Sequence, residues 1–429
     1  MDIIHVIGAL TLGILLFVLI ASQLVTLFFT TYQTMVGVVG MAMRSRIKLE
    51  GSHGRKFAVV ICAHNEDAVV GDLLKNLDTV EYPKDLYDVF VIADNCTDMT
   101  AEIARSHGAI ALERHDKTKV SKGYGIEWFL EEFWRDYSDK GYDAIAIFDA
   151  DNIISRNFLN QANTKMNEGY KVIQAYLDSK NPSDTWVTKA YALSYTATSR
   201  VYQQARENIG LSAQLGGTGM VFDVDVLKEM GWGTESLTED LEFTVRYSLA
   251  TGERVGWLHN AKIYDEKPLK FKQSYVQRTR WMKGHFDCAF RYFKPLMKAI
   301  FKPKSLRSTL VNIDLLIYLV QPVRIVLSLS SFFFFLLSLF SPLPDYISTH
   351  ILNPWLWGIG MGLYYGLPFW ALFQEKQLKK GLWFIETYIF SMSWIPIVAY
   401  AFFKREEKTW SHTQHTRSVN VEAVLERGD

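Results

Sequence analysis

The chain has 429 residues, enough for one large domain or two of ordinary size. It is 49% hydrophobic and 14% aromatic, with a formal net charge of +0, a balance that excludes a nucleic-acid binder, which carries a basic excess. Its three cysteines, Cys62, Cys96 and Cys288, show no CxxC spacing and cannot all pair, as expected for a reducing, cytosolic setting.

The apolar residues cluster at the two ends of the chain. The first block, residues 3–30, contains no charged side chain, and Asp2 stands just ahead of it. A spanning helix needs roughly 20 apolar residues, so this block is predicted to cross a membrane. A cleaved signal fits poorly, because no basic segment precedes the run, the run is too long, and no small-residue cleavage site follows. Arg44, Arg46 and Lys48 come after it, so the positive-inside rule puts the N-terminus outside and residue 45 onward in the cytoplasm.

The middle of the chain alternates short apolar runs with helical periodicity. Strands are predicted at 56–62, 87–93 and 109–112, with helices at 67–77 and 100–107 between them. This β-α-β-α-β opening is the pattern of a nucleotide-binding parallel sheet. A loop at 117–123 leads into a helix carrying Trp128, Phe129 and Phe133, and a strand at 143–148 runs into Asp149-Ala150-Asp151. Residues i and i+2 of an extended segment point the same way, so two carboxylates converge at the carboxyl end of a strand, where open α/β sheets bind ligands. Such a pair is costly to bury unless a cation compensates it, and a hard divalent ion that also carries a diphosphate is the natural partner. A turn or helix cap would explain the pair without function; its place after this strand favours the functional reading.

A strand at 172–177 and a helix at 186–208 precede Gly216-Gly217-Thr218-Gly219, where backbone could approach a substrate closely or simply turn before a strand at 220–222. Thr238-Glu239-Asp240 opens a helix at 241–250, a position that ordinary N-capping would also explain. Residues 271–293 are aromatic and basic and read as an amphipathic helix at a membrane surface, with Gln277-Arg278-Thr279-Arg280-Trp281 inside it. Surface anchoring accounts for Arg280 and Trp281 as a composition, but not for their pairing with Asp240.

Three further candidate spans follow, at 309–340 (interrupted at Gln321-Pro322 and Arg324), 355–373 and 382–403. Their topology is in conflict. Three crossings place the basic tail at 404–408 outside. A re-entrant last segment, bent near Pro396, keeps both that tail and residues 374–380 inside. Splitting the first of the three at Pro322 rescues the tail but exposes Lys376, Lys379 and Lys380. Asp314, Arg324 and Glu386 are expensive in lipid and could line a polar path, although an interfacial place suits Asp314 equally.

In order and rough spacing, Asp94, Asp149-Ala150-Asp151, Thr238-Glu239-Asp240 and Gln277-Arg278-Thr279-Arg280-Trp281 resemble the motifs of membrane-integrated family 2 glycosyltransferases. These include the cellulose, hyaluronan, chitin and poly-N-acetylglucosamine synthases. The resemblance covers about residues 56–293 and the general arrangement of membrane segments. It implies an α/β fold of GT-A type (Rossmann-like), a cytosolic catalytic domain inserted between transmembrane helices. The expected divisions are 1–45 for the leading helix and its flank, 46–270 for the catalytic domain, 271–305 for interfacial helices, and 306–429 for the C-terminal membrane region.

The resemblance also implies a nucleoside-diphosphate sugar, usually UDP-linked, used with Mg2+ or Mn2+. Asp94 would contact the uracil or ribose, Lys122 and Asp149 the donor, and Asp151 the metal. Asp240 would be the general base, with Glu239 on the acceptor side. Gln277 and Arg280 would clamp the diphosphate, and Trp281 would stack on the acceptor sugar. Two departures stand out: Ala93, where many relatives carry an acid, and a single leading span where hyaluronan-type enzymes have two. With one base and no second carboxylate placed as a nucleophile, direct displacement and a β-linked product are expected. A processive polysaccharide synthase leads; a single-transfer enzyme acting on a membrane lipid, ceramide glucosyltransferase-like, is the close alternative. A transporter or scaffold with a nucleotide-sensing domain leaves Asp240 and the clamp without a role. With 26 residues after Phe403, no PilZ-like regulatory domain is expected.

Overall fold

The computed structural model describes residues 3–43, 54–327, 354–407 and 417–426. A long first helix, α1 (Ile3–Ala42), leads into a mixed sheet of eight strands. In chain order these are β1 (Phe57–Ala63), β2 (Tyr87–Asp94), β3 (Ile110–Arg114), β4 (Ala144–Asp149), β5 (Ile153–Ile154), β6 (Val172–Ser179), β7 (Met220–Asp223) and β8 (Gly256–Asp265). Their spatial order is β3-β2-β1-β4-β7-β6-β8-β5. The first four strands are parallel, as expected from their apolar runs; β7 runs antiparallel to both β4 and β6, and β8 parallel to β6. Phe57 to Ile61 have no exposed surface, and they alternate between the two sides. Val59 and Ile61 face one core with α2 (Val70–Asp78) and α3 (Thr100–Ser106); Ala58 and Val60 face the other with α4 (Lys122–Asp136).

Two strands were not expected. β5 is only two residues long, and β8 interleaves His259, Asn260 and Lys262 with its apolar residues, so neither presents a continuous run. After α5 (Phe158–Asn167), the helix expected at 186–208 is present in three parts. They are α6 (Trp186–Ala197), a wider π-helical stretch (Thr198–Gln204) and α7 (Ala205–Asn208). After β7 come α8 (Val224–Met230) and α9 (Glu239–Thr251). The expected interfacial helix is α10 (Phe271–Phe301), which packs against α9 and α11 (Leu306–Val320). Pro322 ends α11 by opening a short helical stretch at 322–327, a first-turn position where its missing N–H is harmless. The rest of that candidate span lies outside the described residues. Residues 355–373 belong to α12 (Pro354–Gln374), and the last apolar segment is two helices, α13 (Phe384–Met392) and α14 (Trp394–Phe403). The described chain ends in α15 (Val421–Leu425).

Among the described residues, two stretches, Leu16–Ala42 and Leu378–Phe403, are long and apolar enough to cross a membrane. α1 is built inside-out compared with a helix on a soluble domain. Ser22, Gln23, Thr26, Thr30, Gln33 and Thr34 are buried, while Leu10, Ile14, Phe17, Phe28 and Met35 face outward. Gly40 lets this helix touch α7: a methyl group there would lie 2.3 Å from the Ala205 carbonyl oxygen.

The ionisable residues singled out in the apolar blocks each have a partner among the described residues. Asp314 is fully buried and receives Arg206 Nε (2.9 Å) and the Tyr32 hydroxyl (2.7 Å), joining α11, α7 and α1. Arg324 donates to the Tyr364 hydroxyl (2.8 Å), and Glu386 pairs with Lys189 (3.3 Å). Each charge is held by a named partner because an unpaired one would be costly there. Asp314→Ala leaves Arg206 buried without a counter-ion. It is expected to cost about 3–5 kcal/mol, whereas Tyr32→Phe, which keeps the pair, should cost about 1.5–3 kcal/mol. Unfolding in detergent micelles measures both; equal losses would mean that the pair is not the main contact.

Candidate active site

Parallel strands deliver their carboxyl ends to one edge, and that edge collects the charged residues. Lys122, the first residue of α4, ion-pairs with Asp149 at the end of β4 and donates to the Gly217 carbonyl (2.5 Å). The Ser121 side chain caps α4, accepting from the Tyr124 amide, and thereby fixes where the lysine emerges. The Cys62 thiol, pushed up to about 12 by burial, lies within electrostatic reach of Lys122, Asp149, Glu239 and Asp94, so these four converge on the end of β1. The glycine run also takes part: Gly217 has a φ of 84°, and a Cβ there would sit 3.5 Å from Asp240 Oδ2.

Asp94 is more committed than expected. Its Oδ1 accepts from Arg114 Nη1 (2.7 Å) and Asn95 Nδ2 (2.9 Å), while Oδ2 faces Gly125 of α4. Burial raises its pKa, and Arg114 opposes the shift. His64 Nδ1 lies 2.6 Å from the Asp94 carbonyl oxygen, and Asn65 and Asn95 take left-handed conformations at the ends of β1 and β2. Arg114 and His64 were not read as site residues. The two asparagines just past strand ends, Asn65 two residues after β1 and Asn95 directly after β2, were the available signal, since Asn tolerates this backbone better than most residues.

Glu239 and Asp240 open α9 beside this cluster. Burial raises both pKa values. Asp240 reaches about 7, its Glu239 neighbour adding to the effect, while Lys122 and Arg280 draw Glu239 back down. The clamp helix touches this corner through Gly284, where a methyl group would lie 2.6 Å from the Thr238 amide nitrogen. Only glycine permits that approach, a constraint invisible in the sequence.

The clamp motif divides its work. Arg280 faces Glu239, and its Nε is buried without a hydrogen-bond partner. Gln277 Oε1 accepts from the Tyr191 hydroxyl (3.2 Å), and Trp281 meets the Tyr191 ring edge-on at 6.4 Å. Tyr191, buried, and Tyr195, partly buried and one turn along α6, thus support the Trp281 ring; Tyr195 is within electrostatic reach of Asp240. Neither tyrosine was singled out from sequence. Arg278 points elsewhere: it is fully buried, stacks over Phe390 (3.9 Å) and donates to Ser393 Oγ (2.8 Å).

Asp151 lies deeper than Asp149. Its Oδ2 accepts from the Glu266 amide (2.7 Å) and its Oδ1 from Asn152 (3.0 Å), placing it against the end of β8. Asp265 there has a pKa raised to about 6, chiefly by burial; Lys267 opposes the shift, and the charges of Asp151 and Asp149 add to it. No group of three or more potential ligands is preassembled among the described residues. Mg2+ and Mn2+ nonetheless fit this donor set. Hard carboxylate oxygens that repel one another suit such an ion, and Mg2+ typically binds one or two carboxylates plus substrate phosphates.

The Asp240 shift carries a sign. Its native pKa, near 7, lies above the ordinary value of 3.8, so the folded state retains this proton between those limits and stability falls as pH rises through them. Asp240→Asn is therefore expected to melt above the parent protein at pH 8, with the difference shrinking towards pH 4. A constant difference across that range in calorimetry would refute the assignment.

Comparison with known proteins identifies the family and the fold. The profile described as glycosyltransferase like family 2 matches residues 53–284, more than half of the chain. A Bacillus subtilis protein named probable glycosyltransferase YdaM is 25% identical over 397 residues, 84% of this chain and 86% of that one. The beta-monoglucosyldiacylglycerol synthase of a Nostoc species is 27% identical over 248 residues, 56% of this chain and about half (51%) of the synthase. Among solved structures, the mannosyltransferase PcManGT from Pyrobaculum calidifontis, in complex with GDP-Man and Mn2+, is similar with a TM-score of 0.61. That match has 14% identity and covers 92% of this chain and all (100%) of that one. The mixed, curled sheet is thus a GT-A-like glycosyltransferase fold, and the chain belongs to glycosyltransferase family 2.

Proposed function

We propose that this enzyme transfers a sugar, with inversion, from a nucleoside-diphosphate sugar to a glycan acceptor held at a membrane, extending a β-linked polysaccharide. The observation that carries the reading is Asp240: a half-buried carboxyl whose pKa lies near 7, between the donor-side residues Lys122 and Asp149 and the aromatic side of Tyr191, Tyr195 and Trp281. An acceptor hydroxyl is a poor nucleophile at neutral pH, and a base poised near 7 both takes its proton and is ionised often enough to act. The acceptor oxygen then bonds to the anomeric carbon as the bond to the diphosphate breaks. The proton passes to Asp240, and the nucleoside diphosphate leaves with the electron pair.

Negative charge growing on the leaving group is met by Lys122, already fixed by Asp149 and the Gly217 carbonyl, and by Arg280. The orphaned Nε of Arg280 supports this role, since it is buried with no partner of its own. A divalent ion held by Asp151, with Asp149, would supply further neutralisation of the diphosphate. Asp94, with Arg114, would hold the nucleoside. Trp281, partly exposed and braced by the buried Tyr191 ring, offers a flat apolar face to a pyranose ring, which favours a sugar acceptor.

Membrane attachment belongs to the same reading. The buried polar and exposed apolar residues of α1 support a spanning helix, with the catalytic domain on the cytoplasmic side. A single transfer to a membrane lipid is the second reading, favoured by the similarity to the Nostoc synthase.

Two experiments test the proposal. Asp240→Asn should lower turnover by roughly 10²–10⁴-fold while leaving nucleotide binding intact. In the parent enzyme kcat/KM for the acceptor should rise up to tenfold per pH unit below about 7 and level off above it. Near-normal turnover of the variant would remove Asp240 from the chemistry. Separately, nucleotide release from UDP-glucose, UDP-N-acetylglucosamine and GDP-mannose with Mg2+ or Mn2+ should select one donor. A high-molecular-weight product supports polymer extension, and a product migrating with lipid overturns it in favour of single transfer.

A further inference from the structure

The segment Leu378–Phe403 has the length and apolarity of a membrane span, yet the fold ties it to the catalytic domain at its start, middle and end. At its start, Glu375 pairs with His259 (3.0 Å) of β8 and with Arg200 (3.3 Å), and Gln374 accepts from Arg200 (2.8 Å). Lys380 donates to Thr196 (3.1 Å) and lies 3.7 Å from Asp178 of β6. At its end, Glu407 pairs with Lys283 (3.0 Å) of the clamp helix. The segment at 417–426 lies on the catalytic domain, where the Val419 amide donates to Asp72 of α2 (3.0 Å) and Val424 and Leu425 pack on Ile153 of β5 and Tyr264 of β8.

The middle is held as well. α13 ends at Met392, whose carbonyl Pro396 can neither bond nor accommodate, and the helix is interrupted at Ser393, itself in helical conformation with φ −68° and ψ −14°. Arg278 grips this break through Ser393 Oγ and is enclosed by Phe390 and Trp394. α13 has 9 residues and α14 has 10, lengths of about 14 and 15 Å at 1.5 Å per residue. Neither alone crosses a hydrocarbon core of about 30 Å.

The outward face nevertheless belongs in lipid. Leu378, Leu382, Ile385, Ile389 and Met392 form a stripe at helical spacing, and Leu382 is 85% exposed and Ile385 73%. Phe403 continues the stripe at the far end. Lys376, Lys379, Lys404 and Arg405 flank the segment where lipid headgroups would lie, complementary to an anionic leaflet.

We infer that Leu378–Phe403 does not cross the membrane: it dips into one leaflet, on the catalytic-domain side, and returns. Arg278 fastens its turn to α10, the helix that carries Gln277, Arg280 and Trp281. The partner of this surface is the headgroup and upper acyl region of that single leaflet. The arrangement accounts for basic residues on both sides of an apolar run, the conflict that crossings alone leave in place.

Cysteine labelling of the full chain in cells tests this whichever sugar or acceptor the enzyme uses. Lys379→Cys, Glu406→Cys and, as a catalytic-domain reference, Glu102→Cys are treated with a membrane-impermeant maleimide before and after permeabilisation. The parent, with its three native cysteines, gives the background. All three positions are expected to behave alike, protected in intact cells and labelled once permeabilised. Labelling of Glu406→Cys on the side opposite to Lys379→Cys would establish a crossing and overturn the inference. Ile389→Cys should resist the impermeant reagent throughout yet react with a lipid-soluble maleimide. Its labelling by the impermeant reagent would overturn the leaflet as the partner.

Discussion

Charge compensation at Lys122 is the constraint on which the site rests. Asp149 and Glu239 gather within reach of one lysine, with Asp240 next to Glu239, and like charges this close are tolerable only with a cation among them. The lysine is delivered by a capped helix start and fixed by a backbone carbonyl as well as a carboxylate, so its position does not depend on the acids alone. The balance is incomplete: Asp240 remains raised to about 7, and Asp265, beyond the direct pairing of Lys122, to about 6. A cation arriving with a diphosphate would enter a cluster already short of positive charge.

The second organising element is α10. One face of this helix presents Gln277, Arg280 and Trp281 to the site, while Gly284 presses on the start of α9. Other faces hold α11 and α14, and His285 bonds the carbonyls of Tyr318 and Leu319. A helix with so many separate attachments cannot shift at one contact without disturbing the rest. Asp240 and residues 277–281 therefore keep their relative positions through direct backbone contact and not through flexible side chains alone.

How much of this was legible in the sequence follows from how local each signal is. Continuous apolar runs marked β1, β2 and β4, and the acids at their ends needed only strand geometry to be placed together. β8 went unread because alternate polar residues interrupt it, although it sits in the heart of the sheet's second half. Asp314 and Arg324 stood out as costly charges, but their partners are remote in sequence and could not be read from it. Arg278 and Arg280 look equivalent in the motif; two residues apart on a helix they diverge in direction, so that Arg280 faces Glu239 while Arg278 stacks over Phe390 and bonds Ser393. The break near Pro396 was foreseen in place to within one turn. Gly284 carried no signal, because close approach of two helices leaves no pattern in either one alone.

The contact among Tyr32, Arg206 and Asp314 also bears on how the protein is made. Tyr32 and Asp314 are 282 residues apart, and Arg206 and Asp314 are 108 apart. During synthesis the first helix and most of the sheet leave the ribosome long before Asp314 exists. Until then Arg206 is a cation with no counter-ion, held at the surface where α1 must dock. The nascent domain would wait, partly assembled, for a residue beyond its own last strand, so the catalytic unit and its apolar flank mature as a single event.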